Sequence, residues 1–401
     1  MRLCLISLLS LLALLLLLPA HAAPEPGFTA DYSRFENHFR QILEQEAVPG
    51  GAYAIIRDGR IVQAGTFGVR AAGEELPVTV DTVFRIASVS KTFAAQLTGM
   101  LVHEGHLSWE DGITGFLPDF QLGQPEQARQ LQIHHLLGQS TGIVPNAYDN
   151  LLNASQSLEQ IVPRFREIEP MCQPGRCYTY QNVLFSLVGA AIEQRTERSY
   201  DDLVNERLFQ PLEMRDASTG MAGYLAAENR AVPHVKRRLS WRPTQVNENY
   251  YRVSPAAGVN ASAIDLSHWL IAQMGHHPDI VTPALVEEIT EKRIRTTRDL
   301  RRRGWRDFLT DAHYGLGWRV YTAGDDDIYL HSGWVEGFVA EIGYSRSRQT
   351  GLVVLLNAES SALNQITTSF WRQTLAEPRP VMVLEPPEPA ADLGGVSAAN
   401  E

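Results

Sequence analysis

A serine and a lysine three residues apart, Ser88 and Lys91, stand where a strand-like segment, Phe84-Arg85-Ile86, gives way to a helical run with apolar Val89, Phe93, Leu97 and Leu101. Positions i and i+3 share a helix face, so an amine there lies beside a hydroxyl. The start of a helix adds backbone N–H groups and a positive potential, both suited to a developing oxyanion. These are the needs of a serine nucleophile: a base at hand and a place for the charge that its attack creates. For Lys91 to be that base, its pKa must fall from about 10.4 towards 7 or 8 through burial or neighbouring cations. The plain alternative makes Ser88 a helix cap and Lys91 an exposed helical side chain. Lysine is scarce here, Lys91, Lys236 and Lys292 being all the chain has.

Two further segments follow. Tyr180-Gln181-Asn182 precedes a helical stretch, and His331-Ser332-Gly333 follows strand-like Ile328-Tyr329-Leu330. In this order, Ser-x-x-Lys, Tyr-x-Asn and His-small-Gly resemble the three motifs of the class C β-lactamase, DD-peptidase and esterase family of penicillin-recognising serine hydrolases. The stretches Glu104 to Pro118, Leu208 to Met214, Gly258 to Trp269 and Tyr314-Gly315-Leu316-Gly317-Trp318 are similar to it too, so the resemblance runs over most of Phe35 to Leu375. It implies a Ser88 acyl-enzyme, with Lys91 and Tyr180 sharing the proton transfer, since a phenol near an ammonium ionises more easily. It also implies that Asn182 holds the substrate's amide and that His331, Ser332, Gly333 and Trp334 bind substrate. The oxyanion donors would be the N–H groups of Ser88 and Trp334, each worth about 3 to 4 kcal/mol of barrier. No cofactor and no metal are implied. His331 stands where class C β-lactamases carry lysine; a histidine is mostly neutral at pH 7, which tilts the reading from an efficient β-lactamase towards a peptidase or esterase.

The elements that must position these residues can be read around them. Ala30 to Glu46 has helical periodicity, and two strand-like runs, Gly51 to Ile56 and Arg60 to Phe67, meet at Asp58-Gly59, a hairpin signal. Near the other end, Ile328 to His331, Phe338 to Tyr344 and Gly351 to Asn357 read as strands and Leu363 to Leu375 as a helix. The middle is helical, with Val89 to His103, Asn182 to Arg195 and Ala263 to Met274. The expected fold is α+β: an antiparallel sheet formed by the N- and C-terminal parts, flanked by helices, with a mostly helical subdomain inserted. The serine hydrolase domain is expected over 28–376.

The 401 residues, 44% hydrophobic and 20% charged, can bury a full core, and a net charge of -11 argues against a nucleic-acid partner. Met1-Arg2, the apolar run Leu3 to Leu18 and Pro19-Ala20-His21-Ala22-Ala23 read as an export leader cleaved after Ala22, leaving no stable membrane anchor; the alternative is an uncleaved anchor, though the run is short of the roughly 20 apolar residues a bilayer span needs. In an oxidising compartment, periplasmic or external, Cys172 and Cys177 are expected to be bridged. From Glu377 the Pro-rich acidic sequence reads as a disordered tail. Gly138-Gln139-Ser140-Thr141-Gly142 fits a nucleophile elbow in letters but follows a helix, where a strand is needed. His103-Glu104-Gly105-His106 is one position short of a zinc motif, and the Arg-rich run Arg293 to Arg306 reads as solvated surface. The partner expected is a small-molecule or peptide substrate. The chemistry points first to amide bonds of D-amino-acid peptides, then to carboxylic esters, then to β-lactams; a penicillin sensor that acylates without turning over is the rival outside enzymology.

Overall fold

The computed structural model describes residues 32–378. The expected leader and all but the first two residues of the expected tail lie outside the described residues. Of those two, Glu377 is tied back to the body, its carboxylate 2.7 Å from the Arg57 guanidinium.

The eight strands of the main sheet are β1 (Gly50–Arg57), β2 (Arg60–Gly68), β3 (Ile294–Arg295), β4 (Asp311–Tyr314), β5 (Arg319–Ala323), β6 (Asp326–Val335), β7 (Phe338–Ser345) and β8 (Thr350–Leu356). They are ordered β2-β1-β8-β7-β6-β5-β4-β3, every neighbouring pair antiparallel. The β1–β2 turn is made by Asp58 and Gly59, both at positive φ (47° and 71°), the pair of conformations a two-residue hairpin of this twist requires. The N- and C-terminal parts of the fold thus meet inside one sheet, with Tyr53 of β1 opposite Val354 of β8, as the strand-like runs at both ends led one to expect. β3, β4 and β5 were not separable in the sequence, being two to five residues long.

Alternation along β1 decides which layer each face meets. Tyr53 and Ile55 join a core with α1 (Ser33–Gln45) and α5 (Ala362–Ala376), where Phe35 and Phe39 lie 5.0 and 4.8 Å from the Tyr53 ring. Ala52, Ala54 and Ile56 face the opposite way, into the larger core shared with the helical middle. That middle contains α2 (Ser90–His103), α3 (Val183–Thr196) and α4 (Ala263–Ile271). Eleven residues of α2 are buried, Lys91 among them, so this helix runs through the interior. Phe93 of α2 stacks on Trp269 of α4 at 4.3 Å, and the Trp269 indole N–H donates to Thr92. The expected α+β architecture is the observed one. Ser88, however, precedes α2, lying in the 3-10 turn Ala87–Val89.

Candidate active site

Three parts of the chain converge on Ser88. The turn that carries it begins at Ala87, fully buried and at φ 48°, a left-handed conformation costing a non-glycine residue about 1 to 3 kcal/mol. Its counterpart across the site is Gly333 of β6, where a Cβ would stand 2.0 Å from the Ile86 carbonyl oxygen. Only glycine allows the strand this close to the serine's own backbone. Gly317, at φ 70°, packs likewise on the Lys91 carbonyl. Neither helix-capping nor exposure describes the Ser-x-x-Lys pair: no side-chain cap is made at Ser88 or at the start of α2, and Lys91 is 0% exposed.

Lys91 Nζ lies 2.7 Å from Asn182 Oδ1, 3.0 Å from the Ala256 carbonyl oxygen and 3.3 Å from Ser88 Oγ. Burial pushes its pKa well below the usual lysine range; the Asp149 carboxylate opposes this and the Arg319 guanidinium reinforces it. A neutral amine has two N–H donors and one lone pair. The donors match Asn182 and Ala256, which leaves the lone pair towards the serine hydroxyl. Tyr180 also hydrogen-bonds Ser88, and its ring centroid is 4.8 Å from Lys91 Nζ. Its ionisation differs from the sequence expectation: burial outweighs both the Ser88 hydrogen bond and the Arg319 charge and holds the phenol above its ordinary pKa. At rest Tyr180 is protonated, and the free lone pair is that of Lys91.

Tyr180 and Asn182 owe their placement to the segment whose letters fit a nucleophile elbow. Gln139 and Gln181 bond reciprocally, Gln181 N–H to Gln139 Oε1 at 2.6 Å and Gln139 Nε2 to the Gln181 carbonyl at 3.1 Å, while Thr179 N–H donates to the Gln139 carbonyl. The Cys172–Cys177 disulfide closes the loop just before. Ser140 is nearly buried, its backbone bonded to His135 and Gly175, and it follows the helix Ile133–Leu137. Gly138–Gly142 is therefore a scaffold for the second motif.

Asn182 is oriented by Asp149, whose Oδ2 accepts from Asn182 Nδ2 at 2.8 Å and from the Tyr250 hydroxyl at 3.3 Å. This turns the amide oxygen of Asn182 towards Lys91. Asp149 itself is raised in pKa by burial. Neutralising it removes a charge that holds the Lys91 pKa up. In Asp149→Asn the acidic limb of kcat/KM is expected to move to lower pH, since the neutral amine then persists further down, and the plateau to fall roughly tenfold as Asn182 loses a charged partner. A pH–rate profile of the two proteins measures both.

The third motif differs in detail from its expectation. His331 is fully buried; its Nδ1 faces the Ser332 carbonyl at 2.9 Å and its Nε2 the Tyr314 hydroxyl at 3.0 Å. The carbonyl can only accept, so the ring proton is on Nδ1 and Nε2 accepts from the phenol. Burial first, then Arg319 and Lys91, depress its pKa far below the usual histidine range. His331 is a neutral link in a buried network and offers a substrate no cation. Strand alternation sends Ser332 and Trp334 to the other face: the Ser332 hydroxyl donates to Glu341 at 2.6 Å and the Trp334 indole to Glu359 at 2.7 Å. The Ser332–Trp334 stretch meets the serine turn with its backbone. Arg319, absent from the sequence reading, is the permanent cation here, ion-paired to Asp299 at 2.6 Å and flanked by the rings of Tyr178, Tyr180 and Tyr314 at 5.7 to 5.9 Å. Asp149, Tyr250 and Tyr314 also went unread, though Tyr314 opens a stretch that the resemblance had marked. Among the described residues no group of three or more His, Cys, Asp or Glu side chains is gathered to hold a metal; His103 pairs with Glu288.

Comparison with known proteins bears on the fold and the family. The protein flp of Staphylococcus aureus (strain MW2) is 23% identical over 323 residues, 79% of this chain and 61% of that protein, so the chain spans about three fifths of the length of such curated relatives. A solved octameric penicillin-binding protein homologue from Pyrococcus abyssi superposes with a TM-score of 0.78 at 24% identity, covering 86% of this chain and 78% of the other. A D-stereospecific amidohydrolase from Streptomyces sp. gives 0.65 at 23% identity, covering 82% and 96%. These likenesses speak for the fold. The model of the family described as Beta-lactamase matches residues 35–375, and the chain belongs to that family of serine hydrolases.

Proposed function

We propose that the protein hydrolyses amide bonds of D-amino-acid peptides through an acyl-enzyme on Ser88. The observation that carries this is the position of Ser88 Oγ between a buried lysine, 3.3 Å away and depressed in pKa, and the hydroxyl of Tyr180. Ser88 Oγ attacks the carbonyl carbon while its proton passes to Lys91. The tetrahedral oxyanion is met by backbone N–H groups at the serine turn and on β6, the Ser88 and Trp334 donors of the family pattern. Tyr180, protonated at rest, gives its proton to the departing amine and recovers one through Lys91. Water then attacks the ester carbonyl, and Ser88 leaves with its proton restored.

The amide preference is supported by the name of the Streptomyces neighbour, a D-stereospecific amidohydrolase. Carboxylic esters are the second reading, favoured by one observation: His331 is neutral and already bonded to Tyr314, so the third motif supplies no cation for a substrate carboxylate. The same observation counts against efficient β-lactam hydrolysis, the third reading. Export belongs to the proposal, supported by the disulfide; no helix among the described residues is long and apolar enough to cross a membrane.

The test is a substrate panel run beside labelling with a fluorescent penicillin: a D-alanyl-D-alanine peptide, its L counterpart, a nitrophenyl acyl ester and a chromogenic β-lactam. The proposal expects the D-peptide to have the highest kcat/KM. Turnover of the ester alone moves the second reading to first place, and a persistent penicillin adduct with no substrate turned over makes the protein a sensor.

A further inference from the structure

A basic hairpin stands apart from the catalytic machinery. From Asn229 to Asn247 the chain has no Asp or Glu, yet it carries Arg230, Lys236, Arg237, Arg238 and Arg242, in a protein whose net charge is -11. His234–Arg237 pairs antiparallel with Ser240–Pro243, leaving Arg238 and Leu239 as a two-residue loop. Arg238 sits at φ 56°, where glycine or asparagine is the easier residue. Leu239 is 94% exposed, the most exposed large apolar side chain among the described residues. Lys236, Arg237, Arg238 and Arg242 are all exposed, and no ion-pair partner is found for any of them among the described residues; Lys236 instead lies 5.3 Å from the Trp241 ring.

The hairpin is firmly seated. The Trp241 indole N–H donates to the Glu46 carbonyl at the end of α1, and His234 N–H to the Gly337 carbonyl just after β6. Asn247 Nδ2 reaches Glu336 at 3.1 Å. The hairpin therefore borders the loop that follows the His331–Trp334 stretch, where Trp334 is itself 56% exposed.

We infer that this hairpin docks on an anionic lipid bilayer, its four cations against the headgroups and Leu239 entering the interface. A polyanion in water would satisfy the charges and leave Leu239 exposed; a bilayer satisfies both. Two exposed carboxylates border the hairpin, Glu336 at the Asn247 amide and Glu248 next in sequence, both at its base and not at the Arg238–Leu239 loop; charges further off are screened over about 8 to 10 Å at physiological ionic strength. Each cation near an anionic surface strengthens partitioning about fivefold. The contact is reversible and goes beyond the expectation that no stable anchor remains, since a cationic patch with one apolar side chain is weaker than lipidation or a spanning helix. It stands or falls independently of which bond the serine site cleaves.

The test uses the chain from Ala23 onward, because the described fold lies within 32–378. Sedimentation with mixed phosphatidylglycerol–phosphatidylcholine vesicles is compared with pure phosphatidylcholine vesicles. The expected result is binding to the mixed vesicles alone, weakened by added salt; a loss of more than about tenfold in Arg237→Glu/Arg238→Glu; and a loss of a few-fold in Leu239→Ser. Unaltered near-ultraviolet circular dichroism establishes that each variant is folded, and Arg242→Glu replaces any that is not. Equal binding to both vesicles, or charge-reversed variants that bind like wild type, overturn the inference. So does Leu239→Ser binding like wild type while inorganic polyphosphate competes fully, since the surface then reads polyanions in general.

Discussion

Ser88→Ala is expected to remove the penicillin adduct and to lower kcat by about 10⁴-fold or more, leaving only what binding and the oxyanion donors supply. The protein should otherwise be little changed. Ser88 is half-buried, makes no capping bond and contributes its hydroxyl only to Lys91 and Tyr180. Melting temperature should therefore stay within a few degrees of wild type, the usual response to losing one partly exposed hydroxyl. Ser140→Ala is the matched control. Its hydroxyl belongs to a loop that works through backbone bonds and Gln139, so label and turnover should both survive. Intact mass after incubation with the fluorescent penicillin, with kcat on the best substrate of the panel, reads out both variants. Labelling retained in Ser88→Ala would sink the nucleophile assignment.

Lys91→Arg should be nearly as damaging, about 10³-fold or more in kcat/KM, although it keeps a long basic side chain at the same position. A guanidinium does not lose its proton at any working pH, so it offers Ser88 no lone pair. Wild-type activity depends on the opposite property, an amine that burial has brought towards neutrality. In the wild type, kcat/KM should rise as pH rises through the depressed Lys91 pKa, and the variant should lack that limb. A Lys91→Arg protein that is folded and still active at neutral pH would mean that the position supplies charge only, and proton acceptance would pass to Tyr180. Lys91→Met separates loss of the base from the strain of a larger side chain. It leaves Asn182 Oδ1 and the Ala256 carbonyl without their donor, at about 1 to 3 kcal/mol each, so its melting curve must accompany its kinetics.

What the sequence made legible follows from the range of the forces involved. The hairpin at Asp58-Gly59, the helix over Val89 to His103 and the three motifs in order all rest on neighbours in sequence or on spacing within one element. The ionisation of Tyr180 does not. Its phenol was expected to lose its proton more readily beside an ammonium, but the desolvation that dominates comes from segments far away in the chain. Asp149 and Arg319 were invisible for the same reason: each matters through a side chain distant in sequence or through a field, and neither lies in a motif. The orientation of Ser332 was a register question. One residue decides whether its hydroxyl meets the substrate or Glu341, and three letters do not carry that information. Ala87 gives no sign in the sequence that it adopts a conformation usually reserved for glycine.

The pairing of β1 with β8 has a consequence for the order in which this molecule comes into being. β1 can close on β2 as soon as both are synthesised, but its inner edge waits for Thr350–Leu356, about 300 residues later. Until those last strands arrive, Ala52, Ala54 and Ile56 have no complete sheet to belong to, and the turn bearing Ser88 has no β6 to lean on. A growing chain is thus held open until Thr350–Leu356 has been made, with a long apolar strand exposed to chaperones or to aggregation. Slow, all-at-once assembly is the kinetic counterpart of a sheet whose first and last strands are neighbours.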